Sequence, residues 1–211
     1  MYYRFHRTSV FLGFLYFLGD IFIKYRLFFK YMLNKDDFKG IIKDLKEEDE
    51  RREKTIQLSR EIIKESKIVI YGLQRNDKVD TKKMIALFKQ LKGESNTGIE
   101  ETAVQEYVEA MTFFHFVNHK KIPTRKELGV DTEAYLLGLC DLTGELVRKA
   151  VKDVIDAKYD SAEEITKLVE EIYGEFLKFD LRNGNLRQKS DSIKWNLQKL
   201  EQLRLDITKM N

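Results

Sequence analysis

Residues 105–119, QEYVEAMTFFHFVNH, place two glutamates in a run that is otherwise crowded with large apolar side chains. These glutamates are Glu106 and Glu109. The pattern recurs in residues 135–151, YLLGLCDLTGELVRKAV, where Asp141 and Glu145 interrupt another apolar run. The apolar spacing in both runs is typical of helices, so the sequence predicts two helices that each carry a pair of carboxylates.

The composition favours an all-α fold. Of the 211 residues, 35 % are charged and 43 % hydrophobic, with one proline and eleven glycines, a balance typical of long amphipathic helices. This length is enough for one domain with a sizeable core. The single cysteine, Cys140, excludes an internal disulfide framework, and we expect a cytoplasmic protein.

The net charge of +3 is unevenly distributed along the chain. Residues 1–31 contain five Arg or Lys and one acidic residue, Asp20, for a charge of +4, which leaves residues 32–211 at −1. The main part of the chain therefore has no basic excess, and overall charge does not by itself indicate a nucleic-acid partner.

The N-terminal segment SVFLGFLYFLGDIFIK, residues 9–24, is apolar and is preceded by Arg4 and Arg7. Its uncharged part is shorter than the roughly 18–20 residues that span a bilayer, and no small-x-small cleavage site follows. We expect residues 1–31 to be an upstream stretch that is not natively translated, with the domain occupying residues 32–211. A membrane anchor or an apolar helix used in assembly are the alternatives.

Apolar spacing and turn residues divide the remaining chain into helices. One or two long helices are predicted over residues 36–74, and single helices at residues 80–92, 99–119, 132–157, 161–179 and 186–209. A loop is predicted at GESNTG, residues 93–98. Capping-box patterns predict a short helical turn from Thr124 to Gly129 and the start of a helix at Ser161.

The two carboxylate pairs have a spacing that suits metal binding. On helices, residues three or four apart project from one face at about 5–6 Å, so each pair forms a pincer. Two such pairs in apolar surroundings could be stabilised by a divalent cation, and Mg²⁺ suits an all-oxygen site. A solvated helix face gives the same spacing, so this alternative stays open. Gly144 would allow close approach of a neighbouring helix, and Arg148 could pair with Glu145 or bind a phosphate.

The remaining candidate ligands and nucleophiles are weaker. His115 and His119 have metal-ligand spacing but are not aligned with Glu106 or Glu109 on a helix, so we interpret them as packed or surface residues. Cys140 lies between apolar residues and is interpreted as a small core residue.

Three blocks of the sequence resemble the translin family, and more closely its translin-associated factor X branch. They are REKTIQLSREIIKESK (52–67), QEYVEAMTFFHF (105–116) and YLLGLCDLTGELVR (135–148). The resemblance covers about residues 35–208. It implies an all-α bundle of about seven helices that assembles into a closed shell, a homo-octamer, around short single-stranded or duplex RNA.

The factor X branch also implies a magnesium-dependent endoribonuclease, with Mn²⁺ as a substitute for Mg²⁺. Its acidic site maps by motif onto Glu106, Glu109, Asp141 and Glu145, which would be both metal ligands and catalytic residues. No small-molecule cofactor is expected, and a membrane partner is expected only if residues 1–31 are native and act as an anchor.

The resemblance is not uniform along the chain. Residues 179–195, FDLRNGNLRQKSDSIKW, look more like translin itself, and residues 117–134 are short compared with the insertion typical of the factor X branch. The chain therefore mixes features of the two branches, and the substrate preference of the factor X branch does not simply carry over.

Binding of RNA also requires cations near the carboxylates. Arg60, Lys64 and Lys67 lie within roughly 60° on one helix face, and Arg148 adjoins the acidic stripe. We predict that these four residues contact RNA. Two alternative functions remain open, a non-catalytic shell of the translin type that binds RNA or single-stranded DNA, and a helical magnesium-dependent nucleotide pyrophosphatase.

Overall fold

The structure is a computed structural model that describes residues 18–24, 33–91 and 97–210. Within these residues there is no strand, so the predicted all-α class is confirmed. The helices are residues 18–24 (α1), Lys35–Gln74 (α2), Lys82–Phe88 (α3), Gly98–His119 (α4), Arg125–Leu128 (α5), Thr132–Ile155 (α6), Tyr159–Phe176 (α7) and Asn185–Met210 (α8).

Internal contacts divide the chain into two units, residues Met1–Glu50 and Arg51–Asn211. Most of the predicted extension over residues 1–31 lies outside the described residues. None of the described helices is both long enough and apolar enough to cross a membrane. The predictions for this extension therefore remain predictions.

Helix α2 changes character along its length. The side chain of Asn34 accepts hydrogen bonds from the backbone N–H groups of Asp36 and Asp37 and so caps the helix. Every residue from 35 to 54 is exposed, and buried residues begin only at Ser59. The second half of α2 then contributes Ile62, Val69 and other apolar side chains to the core.

The ends of the central helices follow from local capping. Thr97 accepts a hydrogen bond from the backbone N–H of Glu100 and starts α4, while Asp131 caps α6 in the same way. The capping box of Thr124 and Glu127 is formed, and it starts α5. Of the predicted loop, residues 93–96 lie outside the described residues, and Gly98 belongs to α4.

The core of the second unit lies among α4, α6, α7 and α8, joined by the buried half of α2. Phe113, Leu142, Leu146, Val169 and Ile193 are fully buried there. Helix α3 packs on α4 through Phe88, whose ring stacks on Tyr107 at 3.8 Å between centroids. The two helices that carry the carboxylate pairs, α4 and α6, are thus held in the centre of the bundle.

The predicted capping box at Ser161 is wrong. Helix α7 begins at Tyr159, two residues earlier, and its N-cap Lys158 makes no side-chain capping hydrogen bond. Ser161 lies within the first turn, and its hydroxyl donates a hydrogen bond of 2.7 Å to Asp153 on α6. The hydroxyl of Ser161 therefore bonds to a side chain of another helix, whereas the sequence pattern predicted that it would cap its own helix.

Candidate acidic site and cationic cavity

Helices α4 and α6 approach each other closely at Gly138. A Cβ atom added there would lie 2.5 Å from Cγ1 of Val108 and 3.1 Å from the backbone oxygen of Gln105, so a larger residue could not be accommodated without a shift. The close approach predicted for Gly144 is wrong, since its nearest neighbour would be Asn196 at 3.8 Å. Gly138 therefore sets the spacing of the helices beside both carboxylate pairs.

Glu109 is the most strongly perturbed of the four carboxylates. Burial raises its pKa to about 8, and the nearby charges of Asp141, Glu106 and Glu145 act in the same direction. Its carboxylate makes no hydrogen bond or ion pair with any other described residue. Glu109 is thus a buried acid that is surrounded by acids.

Glu106 and Asp141 each face one lysine. The ammonium of Lys67 lies 3.6 Å from Oε1 of Glu106, and that of Lys189 on α8 donates a 2.5 Å hydrogen bond to Oδ2 of Asp141. Burial raises the pKa of Glu106, Lys67 opposes this shift, and Asp141 adds to it. Lys189 also donates to Oε1 of Gln105 at 3.3 Å, so it joins α8 to both acidic helices.

Glu145 is held by two donors. Nε2 of Gln74, at the end of α2, lies 2.9 Å from Oε2 of Glu145 and 2.8 Å from its backbone oxygen. Nη1 of Arg148 donates to both carboxylate oxygens at 2.8 and 3.0 Å. The first of the two roles considered for Arg148, pairing with Glu145, is therefore the one observed.

The four carboxylates are suitable ligands for magnesium, but in this structure three of them pair with lysine or arginine side chains of the same chain. All four groups are carboxylates, the type of ligand that Mg²⁺ prefers, and Glu109 is influenced by the charges of the other three. However, no three His, Cys, Asp or Glu side chains among the described residues converge on one metal position. Lys67, Lys189 and Arg148 hold three of the four carboxylates instead, and a metal ion would compete with them.

The predicted RNA-binding residues line one cavity of about 1210 Å³ together with three of the carboxylates. Its wall includes Arg60, Lys64, Lys67, Arg148, Glu106, Glu109 and Glu145. Arg75 and Lys78, which follow α2, also line it and were not predicted. Cations and carboxylates that are far apart in sequence thus face the same space.

The histidines and the cysteine have the environments that were expected. Burial and the neighbouring His119 lower the pKa of His115, and the two rings lie 5.5 Å apart between centroids. Cys140 is buried, and burial raises the pKa of its thiol to about 12, so it is a core residue.

Sequence reasoning missed Lys189 and Gln74. Lys189 is distant from both acidic helices in sequence and lies among other polar residues of α8, so no local pattern distinguishes it. Gln74 is buried at the end of α2, and only its position after a run of apolar residues could have indicated a tertiary hydrogen bond. Both contacts depend on how the helices pack.

Comparison with known proteins gives one consistent result. The profile of the translin family matches residues 50–208. An uncharacterized protein of Methanocaldococcus jannaschii is 30% identical over 176 residues, which cover 78% of this chain and 79% of the relative. Translin-associated protein X of Rattus norvegicus is 26% identical over 190 residues, which cover 66% of either chain.

Solved structures share the fold. The crystal structure of apo-NeC3PO has a TM-score of 0.71 and 29% identity, covering 81% of this chain and 96% of that chain. AfC3PO in complex with duplex RNA has a TM-score of 0.74, covering 83% of this chain and 99% of that chain. At 22% identity, this second likeness bears on the fold alone.

Proposed function

The chain belongs to the translin family, and on that premise we propose that it is a magnesium-dependent endoribonuclease that assembles with copies of itself around short RNA. One observation carries the proposal. Three of the four predicted acidic residues line one cavity together with the predicted RNA-binding residues, although these side chains come from three different helices. A non-catalytic RNA-binding protein would need the cations but would have no need of a buried carboxylate such as Glu109.

The cations of this cavity would hold the phosphates. Arg60, Lys64 and Lys67 are exposed along one face of α2, and Arg148 faces them from α6. Lys67 and Arg148 also contact Glu106 and Glu145, so they would keep a bound phosphate beside the carboxylates. Contacts of this kind fix the position of the backbone and read no base sequence.

The carboxylates would hold the metal ion and direct its chemistry. The chemistry that Mg²⁺ supplies when bound is polarisation of a phosphate oxygen and a lowered pKa for a water molecule. Glu106, Glu109, Asp141 and Glu145 would be its ligands, with Mn²⁺ as an alternative ion. Gln74 fixes the orientation of Glu145, and Gly138 fixes the distance between the two helices.

The assembly that we propose is a closed homo-oligomer, with eight subunits by analogy with the family. AfC3PO, which shares the fold, forms a complex with duplex RNA. RNA as the ligand of this chain is our proposal, and the cations that line the cavity support it. No small-molecule cofactor is part of the proposal, and a cytoplasmic location remains our expectation.

A cleavage assay with labelled short RNA tests the activity. We expect cleavage with Mg²⁺ and none after chelation. Glu109→Gln and Asp141→Asn should each lower the rate by about 10²-fold or more, because each removes a metal ligand. RNA binding should persist or tighten, since negative charge near the phosphates is reduced. Glu170→Gln, an exposed position on α7, is the matched control and should cleave like the wild type.

The same assay separates the alternatives. Wild-type rates in Glu109→Gln and Asp141→Asn would contradict a role for the carboxylates in RNA cleavage. Binding of RNA with no cleavage by the wild-type protein would favour the non-catalytic shell. Magnesium-dependent hydrolysis of nucleoside triphosphates, with RNA left intact, would favour the pyrophosphatase.

A further inference from the structure

The face of α2 that lines the cationic cavity carries a tyrosine among its cations. Helical geometry places Arg60, Lys64, Lys67 and Tyr71 within roughly 60° of one another around the helix axis. Tyr71 is 59% exposed, and it lines the same cavity as these cations. A single exposed tyrosine needs no explanation on a protein surface, but this one continues a row of positive charge.

Three cations of this cavity have no carboxylate partner. The side chains of Arg60, Lys64 and Lys78 make no hydrogen bond or ion pair with any other described residue. Glu65, on another face of α2, pairs with Lys83 of α3 instead. Unpaired cations that line one cavity repel one another, and a polyanion relieves this repulsion. The surroundings of Tyr71 therefore suit a phosphate backbone.

The ring of Tyr71 is in contact with Arg75. Cζ of the Arg75 guanidinium lies over the ring, 5.6 Å from its centroid, which is within the range of a cation–π contact. Arg75 is itself paired with Asp77, since its Nε lies 3.5 Å from Oδ2 of that residue. The Tyr71 hydroxyl makes no hydrogen bond with any other described residue. Aromatic rings and guanidinium planes are the surfaces on which unpaired RNA bases stack.

The ring also lies near the acidic residues along the helix. Tyr71 follows Lys67 by one turn, about 6 Å along the axis. The ammonium of Lys67 lies 3.6 Å from Oε1 of Glu106. A phosphate held by Lys67 would therefore lie beside Glu106, and the base of an adjacent nucleotide could contact the ring of Tyr71.

We propose that Tyr71, together with Arg75, forms a stacking site for one unpaired base of the bound RNA. The phosphates next to that base would lie along Lys64 and Lys67, and stacking would fix the nucleotide beside the acidic residues. Every base has a π-face, so this site would position the RNA without reading its sequence. The inference rests on the RNA binding in the proposed function and is independent of the proposed cleavage.

The first test is the affinity for a labelled short single-stranded RNA, measured by fluorescence anisotropy with chelator present to prevent metal-dependent cleavage. Tyr71→Leu removes the π-face but keeps an apolar side chain, and we expect it to raise Kd by about 5-fold or more. Tyr71→Phe keeps the ring and should bind like the wild type. Tyr159→Leu, which changes an exposed tyrosine on α7 outside this cavity, is the matched control and should also bind like the wild type.

The salt dependence of Kd separates stacking from phosphate contact. A stacked base releases no counterions, so Tyr71→Leu should leave the slope of log Kd against log salt concentration unchanged. Lys64→Gln removes a phosphate contact and should lower that slope by about 0.7. A slope that falls equally in both variants would overturn the stacking role of Tyr71.

An oligomer of the same length that contains only abasic ribose phosphates completes a double-mutant cycle. We expect Tyr71→Leu and the wild type to bind this oligomer with equal affinity, because it has no base to stack on the ring. If Tyr71→Leu loses as much affinity for the abasic oligomer as for normal RNA, Tyr71 acts through the protein structure, and the stacking site is overturned.

The remaining outcomes distinguish this site from the proposed function. A wild-type protein that binds no RNA would overturn RNA as the ligand together with the stacking site. RNA binding by the wild type with an unchanged Kd in Tyr71→Leu would overturn the stacking site alone. Light scattering should give the same mass for both proteins, and a smaller mass for Tyr71→Leu would assign Tyr71 to a contact between subunits instead of to RNA.

Discussion

Helix α6 carries two clusters of buried charge that are satisfied in different ways. Lys149 and Asp153 form an ion pair whose side chains are 7% and 1% exposed, and each has a further partner, Asn76 and Ser161 respectively. One turn earlier, Asp141 and Glu145 share their surroundings with Glu109, which has no partner among the described residues. The charges of the first cluster are balanced within the chain, whereas the second has three cations, Lys67, Lys189 and Arg148, for four carboxylates.

This difference separates a structural cluster from a candidate binding site. A buried charge is tolerated when paired and hydrogen-bonded, and the Lys149–Asp153 pair joins α6 to the turn after α2 and to α7. The acidic cluster has more carboxylates than cations. Burial, together with the charges of the other three carboxylates, raises the pKa of Glu109 to about 8. An electrostatic deficit of this kind is a reason to expect a cationic ligand.

The largest effect should come from breaking the balanced cluster. Asp153→Asn leaves the buried ammonium of Lys149 without its counter-charge, so we expect the free energy of unfolding to fall by about 3–5 kcal/mol. Asp156→Asn is the exposed control and should cost under about 1 kcal/mol. Urea unfolding at a fixed protein concentration measures both. If both variants lose the same free energy of unfolding, the Lys149–Asp153 pair does not stabilise the fold as we infer.

A comparable effect, which depends on pH, is expected from Glu109→Gln in the metal-free protein. Because the folded pKa of Glu109 lies above that of an ordinary glutamate, the folded state retains a proton that the unfolded state loses. Wild-type stability should therefore decline as the pH rises from about 4.5 to about 8, by roughly 1.4 kcal/mol per unit of pKa difference.

Glu109→Gln should abolish most of that decline and be more stable than the wild type at pH 8. Urea unfolding at several pH values, with chelator present, measures both slopes, and Glu170→Gln should behave like the wild type. If the stability of the wild type does not change between pH 5 and pH 8, then Glu109 does not have a raised pKa, and the cations of the chain balance the acidic cluster.

The smallest effect should follow from Lys189→Gln, which removes the lysine that pairs with Asp141. Since both partners are about one third exposed, we expect a loss of only about 1 kcal/mol in the metal-free protein. Added Mg²⁺ should then raise the melting temperature more than in the wild type, because the ion no longer competes with an ammonium. Lys194→Gln, an exposed position on α8, is the control. An unchanged response to Mg²⁺ would contradict competition at Asp141.

The sequence by itself determined the helical class, most helix ends and the helices on which the candidate residues lie. Spacing at i+3 and i+4 places Glu106 with Glu109 and Asp141 with Glu145, and a capping box or a terminal glycine acts within a few residues. These interactions are local, so they can be read from neighbouring positions in the chain. The family resemblance supplied the pairing of the two acidic helices.

The tertiary structure alone decided which charges neutralise one another. The contact of Lys189 with Asp141 and the hydrogen bond from Gln74 to Glu145 join residues 48 and 71 positions apart. The same is true of Gly138 against Val108 and of Ser161, whose hydroxyl bonds to Asp153. Such contacts depend on how the helices pack. The local sequence around each of these residues is equally compatible with a solvated helix face, a capping residue or an ion pair.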